Sequence, residues 1–213
     1  MNIIFSYNRP NKLHSLLDEI GHSVVIDDGS DYKALPFLDK CDYYRFTHKG
    51  KEGFWLQWQY AFDIAKESNE DWFFFAQDDI SNVNMAEIKR LTQNIKTPFA
   101  FNIMHRGTHR GWTNIKHEPT TIKGVDCHIV SYVDCIFATN RKTLELLHWQ
   151  ILPVDRMRFL IPNISSGVGQ QLSRRLFDLN VPMWMPRKSL AYHGDHESKM
   201  HPIERKLNPL IAK

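Results

Sequence analysis

Trp72-Phe73-Phe74-Phe75-Ala76-Gln77-Asp78-Asp79-Ile80 is the stretch that decides how this chain is read. Its apolar and aromatic run, Trp72 to Ala76, follows polar Asn69-Glu70-Asp71 and predicts a strand buried on both faces of a mostly parallel sheet. The run then breaks into two adjacent carboxylates. Ligands of open α/β sheets collect at the carboxyl ends of the strands, so Asp78 and Asp79 stand where a site forms. Neighbouring carboxylates repel each other unless a positive group lies beside them. A divalent cation with hard oxygen ligands, shared with a phosphate, meets that need. An ordinary strand end leading into a helix N-cap uses the same residue types and remains open as a reading.

Upstream, Asn2 to Ser6 predicts a short strand, and Tyr7-Asn8-Arg9-Pro10 breaks it. Pro10 suits the first turn of a helix, Leu13, Leu16, Leu17 and Ile20 have helical spacing, and Gly21 ends it. Ser23 to Ile26 predicts a second strand, ending in Asp27-Asp28-Gly29-Ser30-Asp31. The acceptors of that turn suit a ribose or a base edge, but Asp, Gly and Ser are also simple turn formers. Tyr43 to Phe46 predicts a third strand, Lys49 to Gly53 a glycine-rich basic loop, and Trp55 to Lys66 a helix. Trp55, Trp58, Phe62 and Ala65 share one face of that helix and are read as core. This order is a doubly wound nucleotide-binding half. No Gly-x-Gly-x-x-Gly follows the first strand and no P-loop occurs, which argues against dinucleotide and ATP binding of the usual kinds.

Downstream, Met85 to Ile95 predicts a helix and Phe99 to Ile103 a strand. The polar loop Met104 to Glu118 holds His105, Arg106, His109, Arg110, Trp112, Lys116 and His117, which suit phosphates and stacked rings or simply a solvated surface. Val125 to Ala138 is one long β-rich segment, Thr139-Asn140 starts a helix through His148, Gly167 to Leu179 is the last clear helix, and Val181 to Met185 a final strand. A polar tail runs from Tyr192-His193-Gly194-Asp195-His196 to Lys213.

At 213 residues, 42% hydrophobic and 12% aromatic, the chain reads as one globular α/β domain rather than a disordered one. No apolar run approaches the roughly 20 residues of a membrane span, and Met1 to Ser6 lacks a charged leader, so a soluble cytoplasmic protein is expected. Cys41, Cys127 and Cys135 show no Cys-x-x-Cys spacing and read as buried free thiols. The net charge of +3 permits a polyanionic partner without demanding one.

These features together resemble the GT-A fold of nucleotide-sugar-dependent glycosyltransferases, especially the family-2-like group. Four places carry the resemblance. Ile3 to Pro10 is similar to the family's first strand and T-x-N-R turn, and Val24-Val25-Ile26-Asp27-Asp28-Gly29-Ser30 to its V-V-D-D-G-S strand. Phe73 to Asp79 is similar to the strand ending in its Asp-x-Asp motif, and His193 or His196 stands where a histidine often reaches the metal. The resemblance implies a single GT-A, Rossmann-like domain over residues 1–213, with a mostly parallel mixed central sheet flanked by helices. Residues 1–103 would form the nucleotide-sugar half; residues 104–213 would form the acceptor half and a metal-binding tail. It implies Mn2+ or Mg2+ held by Asp79, Asp78, His193 and His196, to neutralise a diphosphate leaving group. The nucleotide-diphosphate sugar would lie among Ser6, Asn8, Arg9, Asp27, Asp28, Lys51, Gln77 and Asp78.

Two departures stand out. Gln77 occupies the place of the motif's leading Asp, and Gly167-Val168-Gly169-Gln170-Gln171 lacks the acidic pair that serves inverting members as general base. Asp134 or Asp195 is then the expected base, beside Asp79 in the catalytic set, and inverting or retaining transfer stays open. Paired cations at Arg106/Arg110, Arg156/Arg158, Arg174/Arg175, Arg187/Lys188 and Arg205/Lys206 suit a phosphate backbone, with an extruded base near Trp112. In general character this resembles a phage enzyme that glycosylates hydroxymethylated cytosine in double-stranded DNA, acting then in the host cytoplasm. A surface polysaccharide or lipid-linked sugar is the rival acceptor. A binding module that kept the fold and lost the chemistry is the reading from another class.

Overall fold

The computed structural model describes residues 1–31, 37–104, 118–133, 135–160 and 165–193. Among them, β1 (Asn2–Ser6), α1 (Pro10–Ile20), β2 (Ser23–Asp27), β3 (Cys41–Arg45), α2 (Gly50–Glu67) and β4 (Trp72–Gln77) make the first half. There follow β5 (Ile80–Ser81), α3 (Met85–Thr92), β6 (Ala100–Asn102), β7 (Glu118–Ile122), β8 (Val125–Val130), β9 (Phe137–Asn140), α4 (Arg141–Leu146), α5 (Val168–Asp178), β10 (Met183–Pro186) and β11 (Tyr192–His193).

The central sheet has nine strands in the order β3-β2-β1-β4-β9-β6-β10-β8-β7. β3, β2, β1 and β4 are mutually parallel, β6 and β10 are parallel to each other, and only β9 and β8 run against the rest. It is a mostly parallel mixed sheet covered by helices, as the uninterrupted apolar run requires. In β4, Phe73 and Phe75 enter the layer under α2, α4 and α5, while Trp72, Phe74 and Ala76 enter the layer under α1 and α3. A strand with helices on both faces has no solvent side, so its sequence cannot alternate.

Trp58 of α2 is the hub of the first layer. It lies 4.6 Å from the Phe5 ring, 5.0 Å from Phe75 and 5.9 Å from Phe137, tying the helix to three adjacent strands. On the other side, Trp72 donates its indole N–H to Thr92 Oγ1 at 2.9 Å, giving its polar edge a buried partner. All three cysteines are buried and none forms a disulfide among the described residues.

Three sequence expectations are corrected. The supposed basic loop at Lys49–Gly53 is the first turn of α2, because the Asp28 carboxylate accepts the N–H groups of Lys49 and Gly50. Gly53 is needed there: a Cβ would stand 2.0 Å from Lys49 Cβ. The β-rich segment is two strands, β8 and β9, and β8 forms a hairpin with β7, whose first residue, Glu118, is the last of the expected loop. Lys123 and Gly124, both at positive φ, make its two-residue turn. Thr139 and Asn140 end β9 and do not start the helix; Asn140 caps α4, accepting from Thr143 N at 3.1 Å.

Trp58→Ala is expected to cost about 3–5 kcal/mol of stability, the range for emptying a large aromatic site. Trp58→Phe should cost much less than that, because Nε1 has no acceptor among the described residues and its removal breaks no hydrogen bond. Urea unfolding of the two variants checks the difference.

Candidate functional site

The chain runs from β1 outward to β2 and β3, then returns to place β4 on the other flank of β1. That reversal opens a crevice beyond the carboxyl ends of β1 and β4, the position at which open α/β sheets bind ligands. The loop Tyr7-Asn8-Arg9 leaves β1 here, and Asp78-Asp79 leaves β4 beside it, with Asp78 N donating to Phe5 O at 3.0 Å.

Asp78 is almost fully enclosed, at 2% exposure, and both its oxygens are occupied. Ser6 Oγ donates to Oδ2 at 2.9 Å, Tyr7 N to the same oxygen at 3.0 Å, and Arg9 Nη1 to Oδ1 at 2.8 Å. Arg9 Nη1 also lies 3.4 Å from Asp79 Oδ2, so one guanidinium bridges the acidic pair. Burial pushes the Asp78 carboxyl up to about 6; Arg9 pulls it down and the Asp79 charge adds to the rise. The far end of the described chain supplies the other neighbour. β11 pairs antiparallel with β5, setting His193 opposite Ile80, and His193 Nε2 lies 3.4 Å from Asp79 Oδ2.

The second acidic turn is tied to the first loop. Asp27 accepts from Ser30 N at 2.7 Å and from Ser30 Oγ; that hydroxyl accepts from Asn8 N at 2.7 Å, and Asn8 Oδ1 accepts from Asp31 N at 2.8 Å. Asn8 holds a φ of +52°, which asparagine tolerates better than most residues. Gly29, at φ +74°, is obligatory, since a Cβ would meet His48 N at 2.5 Å. Asp28 caps α2 and lies 2.9 Å from His48 Nδ1, and the His48 ring stacks on Tyr7 at 4.3 Å.

The structure therefore brings Ser6, Asn8, Arg9, Asp27, Asp28, Asp78, Asp79 and His193 to one end of the sheet. Gln77, half-buried, closes β4 directly before the pair, and Lys51 lies in the first turn of α2. Asp27 and Asp28 spend carboxylate oxygens on holding the turn and capping the helix. Asp134, Asp195 and His196 lie outside the described residues, as does the basic and aromatic loop 105–117. Tyr7, Ser30, Arg45 and His48 were missed by sequence reasoning. The available signal was donor arithmetic: buried Asp27 and Asp28 require donors, and Arg45, whose Nε lies 3.9 Å from Asp27 Oδ2, and His48 are two of the cationic side chains that follow the turn, after Lys33 and Lys40.

Asp79 and His193 offer one hard oxygen and one imidazole nitrogen, a pair that fits a divalent cation shared with phosphate oxygens. Asp78, with its oxygens already engaged, fits as the group that fixes Arg9 rather than as a direct ligand. Among the described residues no group of three or more His, Cys, Asp or Glu side chains forms a metal cage.

No protein-family model and no curated protein sequence matches the chain. Solved structures do. A mycobacterial protein superposes with a TM-score of 0.57 at 14% identity, over 92% of this chain and 67% of its own. Residues 1–349 of TarS from S. aureus, a glycosyltransferase, superpose with a TM-score of 0.53 at 14% identity, over 92% of this chain and 60% of that one. The fold is GT-A-like. The chain spans 60% of the TarS structure, and at this identity the likeness concerns the fold. No described helix is long and apolar enough to cross a membrane.

Because the native chain holds the Asp78 proton more tightly than an unfolded chain with an ordinary carboxyl near 3.8, ionising Asp78 destabilises the fold. This group's contribution is full below about pH 4 and is lost as pH rises through about 6. Asp78→Asn should remove it. With chelator present, the variant is expected to gain on the parent by on the order of 3 kcal/mol between pH 4 and pH 7, measured by urea unfolding.

Proposed function

We propose that this chain is a metal-dependent glycosyltransferase that moves a sugar from a nucleotide-diphosphate donor to a hydroxyl acceptor. The observation that carries the reading is the meeting of Arg9, Asp78, Asp79 and His193 at the β1/β4 crevice of a GT-A-like fold. The fold shared with TarS, a glycosyltransferase, supports an enzyme of the nucleotide-sugar class.

In this reading Asp79 and His193 hold Mn2+ or Mg2+, with His196 as a further ligand from the tail. The ion, when bound, supplies Lewis-acid stabilisation of the departing diphosphate. Asp78 holds Arg9 in place, and Arg9 turns its charge toward the same phosphates. The Tyr7–His48 stack and the Asp27–Ser30 turn form the wall for the nucleoside, with Ser6, Asn8, Gln77 and Lys51 around it. In the transfer the bond from sugar C1 to the phosphate oxygen breaks and a bond from C1 to the acceptor oxygen forms. The hydroxyl proton passes to a base, for which Asp134 and Asp195 are the proposed carboxylates.

Among the described residues of the cation pairs expected to follow DNA, four of six are engaged within the protein, and Arg106, Arg110, Arg205 and Lys206 lie outside the described residues. Arg158 donates to Ser165, Arg175 to the carbonyls of Gln150 and Leu147, Arg174 pairs with Asp178, and Arg187 lies 3.8 Å from Asp126. No described residue favours modified DNA over a carbohydrate or lipid-linked acceptor.

The test is nucleoside-diphosphate release from a panel of nucleotide sugars with manganese, alone and with each acceptor class. Release from one donor that needs metal, and that falls at least 100-fold in Asp79→Ala and at least 10-fold in His193→Ala with the fold intact, is expected. Donor binding without turnover, unchanged by Asp79→Ala, would instead favour the binding module that Gln77 and the engaged Asp78 suggest. Absence of any metal-dependent nucleotide binding would overturn the proposal.

A further inference from the structure

Residues 151–160 read Ile151-Leu152-Pro153-Val154-Asp155-Arg156-Met157-Arg158-Phe159-Leu160, an apolar and basic composition unusual for a connection between helices. The segment closes on a 3-10 turn, Arg156–Leu160, in which no side chain is buried. Met157 is 66% exposed, Leu160 72% and nearby Leu152 44%. Isolated apolar residues on a surface need no explanation, but three on one short connection do.

The exposure is not that of a loose chain. Leu152 is strapped to α5 twice, its N–H donating to Gln171 Oε1 at 2.8 Å and its carbonyl accepting from Gln171 Nε2 at 2.9 Å. Arg158 donates to Ser165 O at 3.1 Å and to Ser165 Oγ at 3.0 Å, and Asp155 Oδ1 accepts from Met157 N at 2.9 Å. Val154 and Arg158 pack close over Gly167, where a Cβ would come within 3.4 and 3.3 Å of their side chains. These contacts brace the turn, with Met157 and Leu160 held out in water. Arg156 is exposed beside them, with no ion pair or hydrogen bond among the described residues. Asp155 is exposed just before the turn and Arg158 keeps its charge on the neutral acceptors of Ser165, so the turn presents exposed apolar side chains together with a net positive charge.

The position of the turn matters. α5 begins at the end of the sheet that carries the site, because Gly169 approaches Val133 O and Cys135, just before β9, and Phe137 of β9 pairs with Phe75 toward the carboxyl end of β4. The turn packed on Gly167 therefore lies at the same end of the sheet as Asp78 and Asp79.

We propose that the Arg156–Leu160 turn, with Leu152, is a docking knuckle for an anionic lipid surface. Apolar side chains entering the acyl boundary with a cation left at headgroup level is the arrangement that lets a protein surface rest on a bilayer. A second copy of the chain fits the patch less well. A stable dimer buries about 800 Å² per partner, more than one turn and one leucine present. The docking does not depend on the proposed activity. That it presents a lipid-linked acceptor to the site rests on that reading.

The experiment is co-sedimentation of the full chain with phosphatidylcholine vesicles with and without phosphatidylglycerol, at low and at moderate salt. Binding to the anionic vesicles that weakens with salt is expected, reduced at least fivefold in a Met157→Ser/Leu160→Ser variant and about twofold in Arg156→Gln. Nucleotide binding and the unfolding midpoint should stay at parental values, since these side chains stand in solvent. Three outcomes overturn the proposal: no binding to anionic vesicles, equal binding by the double variant, or a parental dimer that the double variant splits without any vesicle binding. None of these reads catalysis, so a failed glycosyltransferase assay leaves the result interpretable.

Discussion

Two adjacent carboxylates at the end of a buried strand cannot both remain ionised without compensating charge, and much of this structure answers that constraint. Arg9 lies within 2.8 Å of one and 3.4 Å of the other. To place it there, β1 must run beside β4, the loop after β1 must turn over the crevice, and Asn8 must accept a left-handed backbone locked by Ser30. Asp78 contributes three accepted hydrogen bonds to that arrangement, which explains how a carboxyl at 2% exposure is tolerated. A buried ion pair of this kind adds little net stability over an apolar contact, but breaking it by removing one partner is costly.

The remaining carboxylate is the more consequential one. Asp78 is consumed by Ser6, Tyr7 and Arg9, whereas Asp79 turns one oxygen toward both Arg9 and His193. The two neighbours therefore divide the work of the motif. One holds the cation of the protein in place, and the other, in the proposed function, would share a cation with a substrate. Gln77, standing where the resembled pattern has its first acid, leaves the crevice with one carboxylate fewer.

Much of the fold was legible because its signals are local. The run Trp72 to Ala76 has the unbroken apolar character of a strand enclosed on both faces; Pro10 and Gly21 bracket α1; and Asp27-Asp28-Gly29-Ser30 marks the turn whose glycine tolerates no Cβ. What was not legible depends on distant partners. Lys49 to Gly53 looks like a flexible loop until Asp28, over twenty residues earlier, is seen to cap it. Glu118 to Ile122 has no strong strand pattern because it is an edge strand with exposed side chains, fixed by its hairpin with β8. His193 could be suspected from its neighbours in sequence, but the contact with Asp79 is made by the two-residue pairing of β11 with β5, which leaves no periodic trace. The donors to Asp27 and Asp28 were missed for the same reason: a buried acid announces its need for a partner, not the partner's identity.

In the proposed function Asp79 and His193 act together toward a metal shared with a diphosphate. The most direct measurement is calorimetric binding of Mn2+ to the full chain, with and without a nucleoside diphosphate, in the parent and in Asp79→Ala. The account predicts that metal and nucleotide each tighten the other's binding by the same factor, at least tenfold, and that the coupling vanishes in the variant. Independent binding of the two ligands, or coupling that survives loss of Asp79, would contradict it.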